Sequence, residues 1–320
     1  MLQTMNMPLD LEIAAGFGGW DGLRQHCARM GLDGLEGIWN GLNFPEDVPS
    51  GLFTGYHLTF WPDWVDFWRQ DQKALSSKLG PDELIRSLYG GLKPEDMLEQ
   101  YRQDIARAVR LGAKYLVFHV SDVSIEEGYT YRWQHTHDEV IDAALEVIRC
   151  LLPHIPEDVD FLVENQWWPG FTFTDPAITE KLLSGIGRER CGIMLDTGHL
   201  MNCRRSLRSQ AEGLAFIHRQ LDKHGSLADF ILGMHLHQSL SGKYVAKTVG
   251  KEPPPEGDYV SRVCVSYPHI TRIDRHRPWT DPAVRDLVDR IGPKYLTHEL
   301  SGFQPEQKLK NTAQQMALLK

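Results

Sequence analysis

Six residues with metal-binding side chains stand at or beside the ends of short apolar runs in this sequence: His57, His119, Glu164, Asp196, His235 and Glu299. A charged or imidazole group at the end of a buried strand costs free energy unless it is paired or coordinated. A divalent cation relieves that cost by drawing several such groups together. Taken singly, each has a plainer explanation, as a hydrogen-bonded core histidine or as an acid capping a helix or pairing with a base. Their recurrence at the same place in successive units is the informative pattern, and it points to a shared metal site.

Distant strand ends meet only on a scaffold that makes them converge. Short apolar runs, expected to be strands, occur at residues 11–15, 34–39, 54–60, 115–120, 160–164, 192–196, 230–235 and 295–299. Helical periodicity falls between several of them, at residues 20–30, 94–111, 138–152, 212–223 and 281–291; Met97, Tyr101, Ile105 and Ala108, for example, recur on one helical face. Strands joined by helical crossovers are parallel, and eight such units predict one α/β domain over residues 1–320, a (β/α)8 TIM barrel. No G-x-G-x-x-G follows the first run, which argues against a dinucleotide fold. Two connections, residues 61–93 after the third strand and 238–280 after the seventh, exceed simple crossovers. Both leave the carboxyl end of a strand, where barrels of this kind carry their active sites, so both are expected to shape the substrate pocket.

The chain has 320 residues, 42% hydrophobic and 24% charged, with a formal net charge of −9. An acidic total gives no general attraction to nucleic acid or to anionic membranes. No run of apolar residues is long enough to span a bilayer, and residues 1–10 lack the pattern of a signal peptide. Five dispersed cysteines without a Cys-x-x-Cys pair fit reduced thiols in a cytoplasmic protein.

Phe161-Leu162-Val163-Glu164-Asn165, Leu195-Asp196-Thr197-Gly198-His199, Met234-His235-Leu236 and His298-Glu299-Leu300-Ser301-Gly302 resemble elements of the xylose isomerase-like barrel superfamily (AP endonuclease family 2). That group contains sugar isomerases and epimerases, inosose dehydratases and apurinic-site endonucleases of the endonuclease IV type. The resemblance runs from about Leu11 to Gly302 and is poorest in the two long loops. It implies a metal site of Glu164, Asp196, His235 and Glu299, and mixed oxygen and nitrogen donors suit manganese, zinc, cobalt or iron. It also implies additional metal or substrate ligands at His57, His119, His199, Asp274 and His276, a nine-residue set like that of the three-zinc endonucleases. The Arg277-Pro278-Trp279 segment after His276 departs from that pattern, so Asp274 and His276 stand equally as metal ligands or as loop residues touching substrate. His237, two residues beyond His235, shares a strand face with it; with Arg275 and Trp61 it is a candidate for substrate contact. His135 and His137 read as a solvated helix start. Trp61, Trp64 and Trp68, at helical spacing, read as packing that could also wall the pocket.

Two chemistries fit this set. In the first, Glu164 and Glu299 face each other across a small sugar or polyol whose carbonyl lies on the metal, one removing a proton and the other returning it, as an isomerase or epimerase or, with loss of hydroxide, a dehydratase-like lyase. In the second, two or three zinc ions assist hydrolysis of a phosphodiester. The acidic charge and the weakly basic loops favour the first, with a carbohydrate-like small molecule as partner rather than nucleic acid.

Overall fold

The computed structural model describes residues 1–39, 44–302 and 304–320. Eight strands, β1 (Leu2–Pro8), β2 (Gly34–Ile38), β3 (Phe53–His57), β4 (Tyr115–His119), β5 (Asp160–Glu164), β6 (Cys191–Asp196), β7 (Ile231–His235) and β8 (Tyr295–His298), close in sequence order into one barrel. Every pairing is parallel, and β8 returns to β1 through Met5 opposite His298. The expected (β/α)8 architecture is therefore the observed one.

One element differs from expectation. Residues 11–15 are not the first strand; they lie in a helix, Leu11–Gly16, and the strand is Leu2–Pro8. Asp10 caps that helix by accepting the Ile13 N–H at 2.9 Å, and Leu11 is exposed. The true strand alternates apolar and polar residues, with Met5 and Met7 buried in the main core and Thr4 turned to the polar barrel interior, where it meets Thr297. Alternation of that kind follows from the two-residue repeat of a strand.

Most of the core lies between barrel and helices, where the amphipathic helices Pro94–Leu111 and His137–Leu151 bury residues such as Met97, Ile105, Val140 and Ile148. The lower interior of the barrel is filled by Tyr115, Val117, Leu162, Met194 and Tyr295. Above them sits a polar layer in which Glu36 Oε2 accepts from Tyr115 (2.7 Å) and Thr297 (2.9 Å). Gly55 makes room for that layer, because a Cβ there would sit 2.1 Å from the Tyr115 ring.

Both long connections are partly helical. The first holds Val65–Arg69, Gln72–Lys78 and Asp82–Tyr89. It is pinned to the barrel by Asp122, which accepts from the Trp64 and Val65 N–H groups at 2.8 and 3.0 Å. Lys78 bridges Asp63 (3.0 Å) and Asp66 (2.7 Å) beneath it, and His135 lies 3.2 Å from Asp66. His135 thus belongs to this buried network rather than to a solvated helix start. Trp64 and Trp68 donate to the Ser121 carbonyl and to Glu146, which makes them packing residues. The second connection contains Gly242–Thr248 and a longer helix, Tyr259–Ile273, that ends directly at Asp274.

Candidate metal centre

Strand register explains why residues far apart in sequence meet. His119 is the direct neighbour of Glu164 across β4–β5, and Asp196 that of His235 across β6–β7. Glu164 pairs with Met194, so Asp196 stands two residues further on and on the same face.

The donor atoms fall into three groups, each spanning no more than 4.8 Å: His57, His119 and Glu164; Glu164, Asp196, His235 and Glu299; and His199, His237, Asp274 and His276. Glu164 belongs to two of them. Its Oε2 lies 2.9 Å from His119 Nε2 and 3.1 Å from His57 Nε2, while its Oε1 lies 3.3 Å from His235 Nδ1. In the third group, Asp274 Oδ2 lies 3.2 Å from His199 Nε2 and 2.5 Å from His276 Nε2. All nine residues of the extended set are thus brought together, with Glu299 partly open to the cavity above.

Several imidazoles are held from behind. His57 Nδ1 lies 2.9 Å from the Leu58 carbonyl, His199 Nδ1 3.0 Å from the Asn165 carbonyl and His276 Nδ1 3.1 Å from the Glu299 carbonyl. An N–H donated to a backbone oxygen leaves Nε2 with its lone pair aimed into the group, the tautomer a metal ligand requires. Asn165 also clasps Asp196, donating to its carbonyl (3.0 Å) and accepting from its N–H (2.8 Å). At the floor, Glu36 Oε1 approaches His235 Nε2 to 2.9 Å.

The site is strongly electronegative. Burial alone would raise the Glu164 carboxyl, but His119 and His235 beside it hold it well below the usual carboxylate range. Glu299, next to His235 and His276, behaves alike. Against burial, Glu36, Glu299 and Glu164 push His235 well up, and Asp274 and Glu299 raise His276 to about 9. A field that favours imidazolium favours any bound cation. Three buried atoms, His235 Nε2, His237 Nδ1 and Glu299 Oε2, have neighbours at ion-pair distance or none, yet make no hydrogen bond. Unsatisfied buried donors and acceptors are rare in folded proteins; Glu299 Oε2, 3.1 Å from His235 Nδ1 within the central group, is one that a bound cation would satisfy. The donor set therefore fits divalent cations.

Three residues expected to touch substrate lie elsewhere. His237 is fully buried, with Nε2 2.8 Å from Asp196 Oδ2 and its ring stacked 4.0 Å from that of His276, so it belongs to the third group. Gly198 permits this, since a Cβ there would sit 2.0 Å from the His237 ring. Arg275 is exposed and directs a guanidinium nitrogen to the Leu240 carbonyl, and Trp61 donates to the Leu88 carbonyl and packs on Tyr101. Neither lines the cavity over the site. Glu36 and Asn165 carried no signal beyond, respectively, an acid inside an apolar strand and the residue after a strand-end glutamate.

An eight-stranded parallel barrel that gathers acids and imidazoles at its carboxyl mouth defines the class of this protein. The model of the xylose isomerase-like TIM barrel matches residues 25–320, and the chain belongs to that family. Among solved structures it is similar to endonuclease IV from Thermus thermophilus (14% identity, 100% of this chain and 99% of that one, TM-score 0.52). It is likewise similar to 3-keto-D-glucoside 4-epimerase from E. coli (10%, 100% and 98%, TM-score 0.51) and to an L-ribulose 3-epimerase (12%, 100% and 93%, TM-score 0.51). A search of the curated proteins found no match. Among the described residues no helix is long and apolar enough to cross a membrane.

Proposed function

We propose that the chain is a multinuclear metal-dependent hydrolase of small phosphoesters. The observation that carries this reading is the assembly of ten donor residues into three groups, two of which share Glu164, because a proton-transferring sugar isomerase needs only the central one. Divalent cations held there would supply Lewis-acid polarisation of phosphoryl oxygens and lower the pKa of water. The residues themselves do the rest. Glu164 holds two groups at a fixed separation, Glu36 and Asn165 orient His235, Asp196 and His199, and the Tyr259–Ile273 helix lines one side of the cavity above them. Glu299, whose Oε2 lies 3.1 Å from His235 Nδ1 and whose side chain reaches the cavity, is placed to take or return a proton. Duplex DNA does not suit the mouth, because no Lys or Arg is among the described residues lining it.

A second reading keeps the sugar isomerase or epimerase chemistry, on the specific ground that Glu164 and Glu299 flank His235 within one group. The two separate in one experiment. Metal-reconstituted protein is assayed for release of the alcohol from small phosphomonoesters and phosphodiesters and for proton exchange into ketoses in heavy water. Alcohol release without exchange supports the hydrolase; exchange without alcohol release overturns it in favour of the isomerase.

A further inference from the structure

Lys308, in the C-terminal helix Pro305–Ala317, is fully buried. Burying an ammonium costs free energy that an apolar side chain of similar length would not, and burial pulls this one down to about 7. Its Nζ donates to the Leu300 carbonyl at 2.5 Å and to Asn6 Oδ1.

Asn6 stands where β1 closes the barrel against β8. Met5 and Met7 point out to the main core, whereas Thr4 meets Thr297 in the interior. Asn6 shares the face of Thr4, one step nearer the carboxyl mouth. Met5 pairs with His298 across the closing seam, and the Leu300 N–H, one residue past Glu299, reaches Asn6 Oδ1 at 3.1 Å. Asn6 is half-buried and lines the cavity together with Glu299, Asp274 and His276.

The two ends of an amide are told apart by their partners. A peptide N–H only donates, so the atom facing Leu300 is the oxygen, and Lys308 donates to the same atom. With Oδ1 held by two donors, Nδ2 is turned away from both, and among the described residues it has no hydrogen-bond partner. A fixed N–H donor is thus carried by a cavity residue next to Glu299. No Lys or Arg is among the described residues lining the cavity, so a phosphoryl oxygen that is not on a metal must find a neutral donor, and a hydrogen bond to such a charged acceptor is a strong one.

Resting on the phosphoester reading, we propose that Asn6 is a substrate-binding residue whose Nδ2 donates to a phosphoryl oxygen, and that Lys308 is its positioning residue, holding the amide in that one orientation.

Calorimetric titration of the zinc-reconstituted chain with methylphosphonate tests this, with zinc per chain measured alongside. Asn6→Ala should weaken methylphosphonate about 10- to 100-fold at unchanged zinc content. Asn6→Asp keeps an acceptor for Leu300 and Lys308 but replaces the donor with a carboxylate oxygen, so it should fold and bind at least as poorly as Asn6→Ala. Lys308→Met should weaken methylphosphonate about 3- to 10-fold in the wild-type background and have no further effect on Asn6→Ala, a coupling that a merely structural lysine would not show. Wild-type affinity in both Asn6 variants, or loss of affinity only together with zinc, would overturn the inference while leaving the phosphoester reading in place. An additive effect of Lys308→Met would remove Lys308 from it. Failure of the zinc-loaded wild-type chain to bind methylphosphonate would overturn both the inference and the phosphoester reading.

Discussion

Glu36 Oε1 stands 2.9 Å from His235 Nε2 at the floor of the barrel, while its other oxygen is fixed by Tyr115 and Thr297. The carboxylate thus grips the far side of an imidazole whose Nδ1 faces Glu164 and Glu299. Carboxylate partners of this kind orient a metal-binding histidine and raise its basicity. Glu36→Gln should therefore weaken metal binding at the central group about 10- to 100-fold with the circular dichroism spectrum unchanged. Equilibrium dialysis with zinc or manganese measures this; unaltered affinity would limit Glu36 to the packing of the polar layer.

His237 offers a test of the third group. Its Nε2 is engaged by Asp196 and its Nδ1 has no partner. His237→Asn is expected to remove about one metal per chain and to leave the sites around Glu164 filled. Elemental analysis after gel filtration reads the difference, and full occupancy in the variant would take His237 out of the donor set.

The Asp122 carboxylate holds the loop after β3 through two backbone N–H groups, and its side chain is almost wholly buried. Hydrogen bonds to a charged acceptor contribute roughly 1.5–3 kcal/mol each. Asp122→Ala should cost about 2–4 kcal/mol in denaturant unfolding, and limited proteolysis should begin within residues 61–93. Cleavage elsewhere first would show that other contacts fix this loop.

Asp63 gives a pH dependence with a definite sign. Burial and the neighbouring Asp122 push its carboxyl up to about 7, against the opposing pull of Lys78. A folded-state pKa above the unfolded one means that the native state holds the proton more tightly. That contribution is fully present below about pH 4 and is lost as pH rises through about 7. Asp63→Asn mimics the protonated form, so the wild-type chain should fall in melting temperature relative to the variant between pH 5 and pH 8. A constant difference across that range would place the Asp63 proton elsewhere.

Much of this was readable from residue order. The strands ending in His119, Glu164, Asp196 and His235 announce themselves because helices cover one face and the barrel core fills the other, leaving near-continuous apolar runs. The strand Leu2–Pro8 did not, because Thr4 faces the polar interior while residues 11–15 imitate an apolar run beside an Asp cap. The helix Tyr259–Ile273 was hidden by its valines and by Pro268, residues that disfavour helix and hold it here only with tertiary support. At the site, acids and histidines at strand ends were legible because their cost demands a reason. The supporting roles of Glu36, Asn165 and His237 depend on which atoms they touch across the barrel, and no spacing in one chain encodes that.

Metal content tests the central claim most directly. The chain, stripped with chelator, reconstituted with zinc and freed of excess metal, should retain close to three ions, and Glu164→Gln, which removes the carboxylate common to two groups, should retain about one. One ion per wild-type chain at saturation, held by the central group alone, would contradict the account.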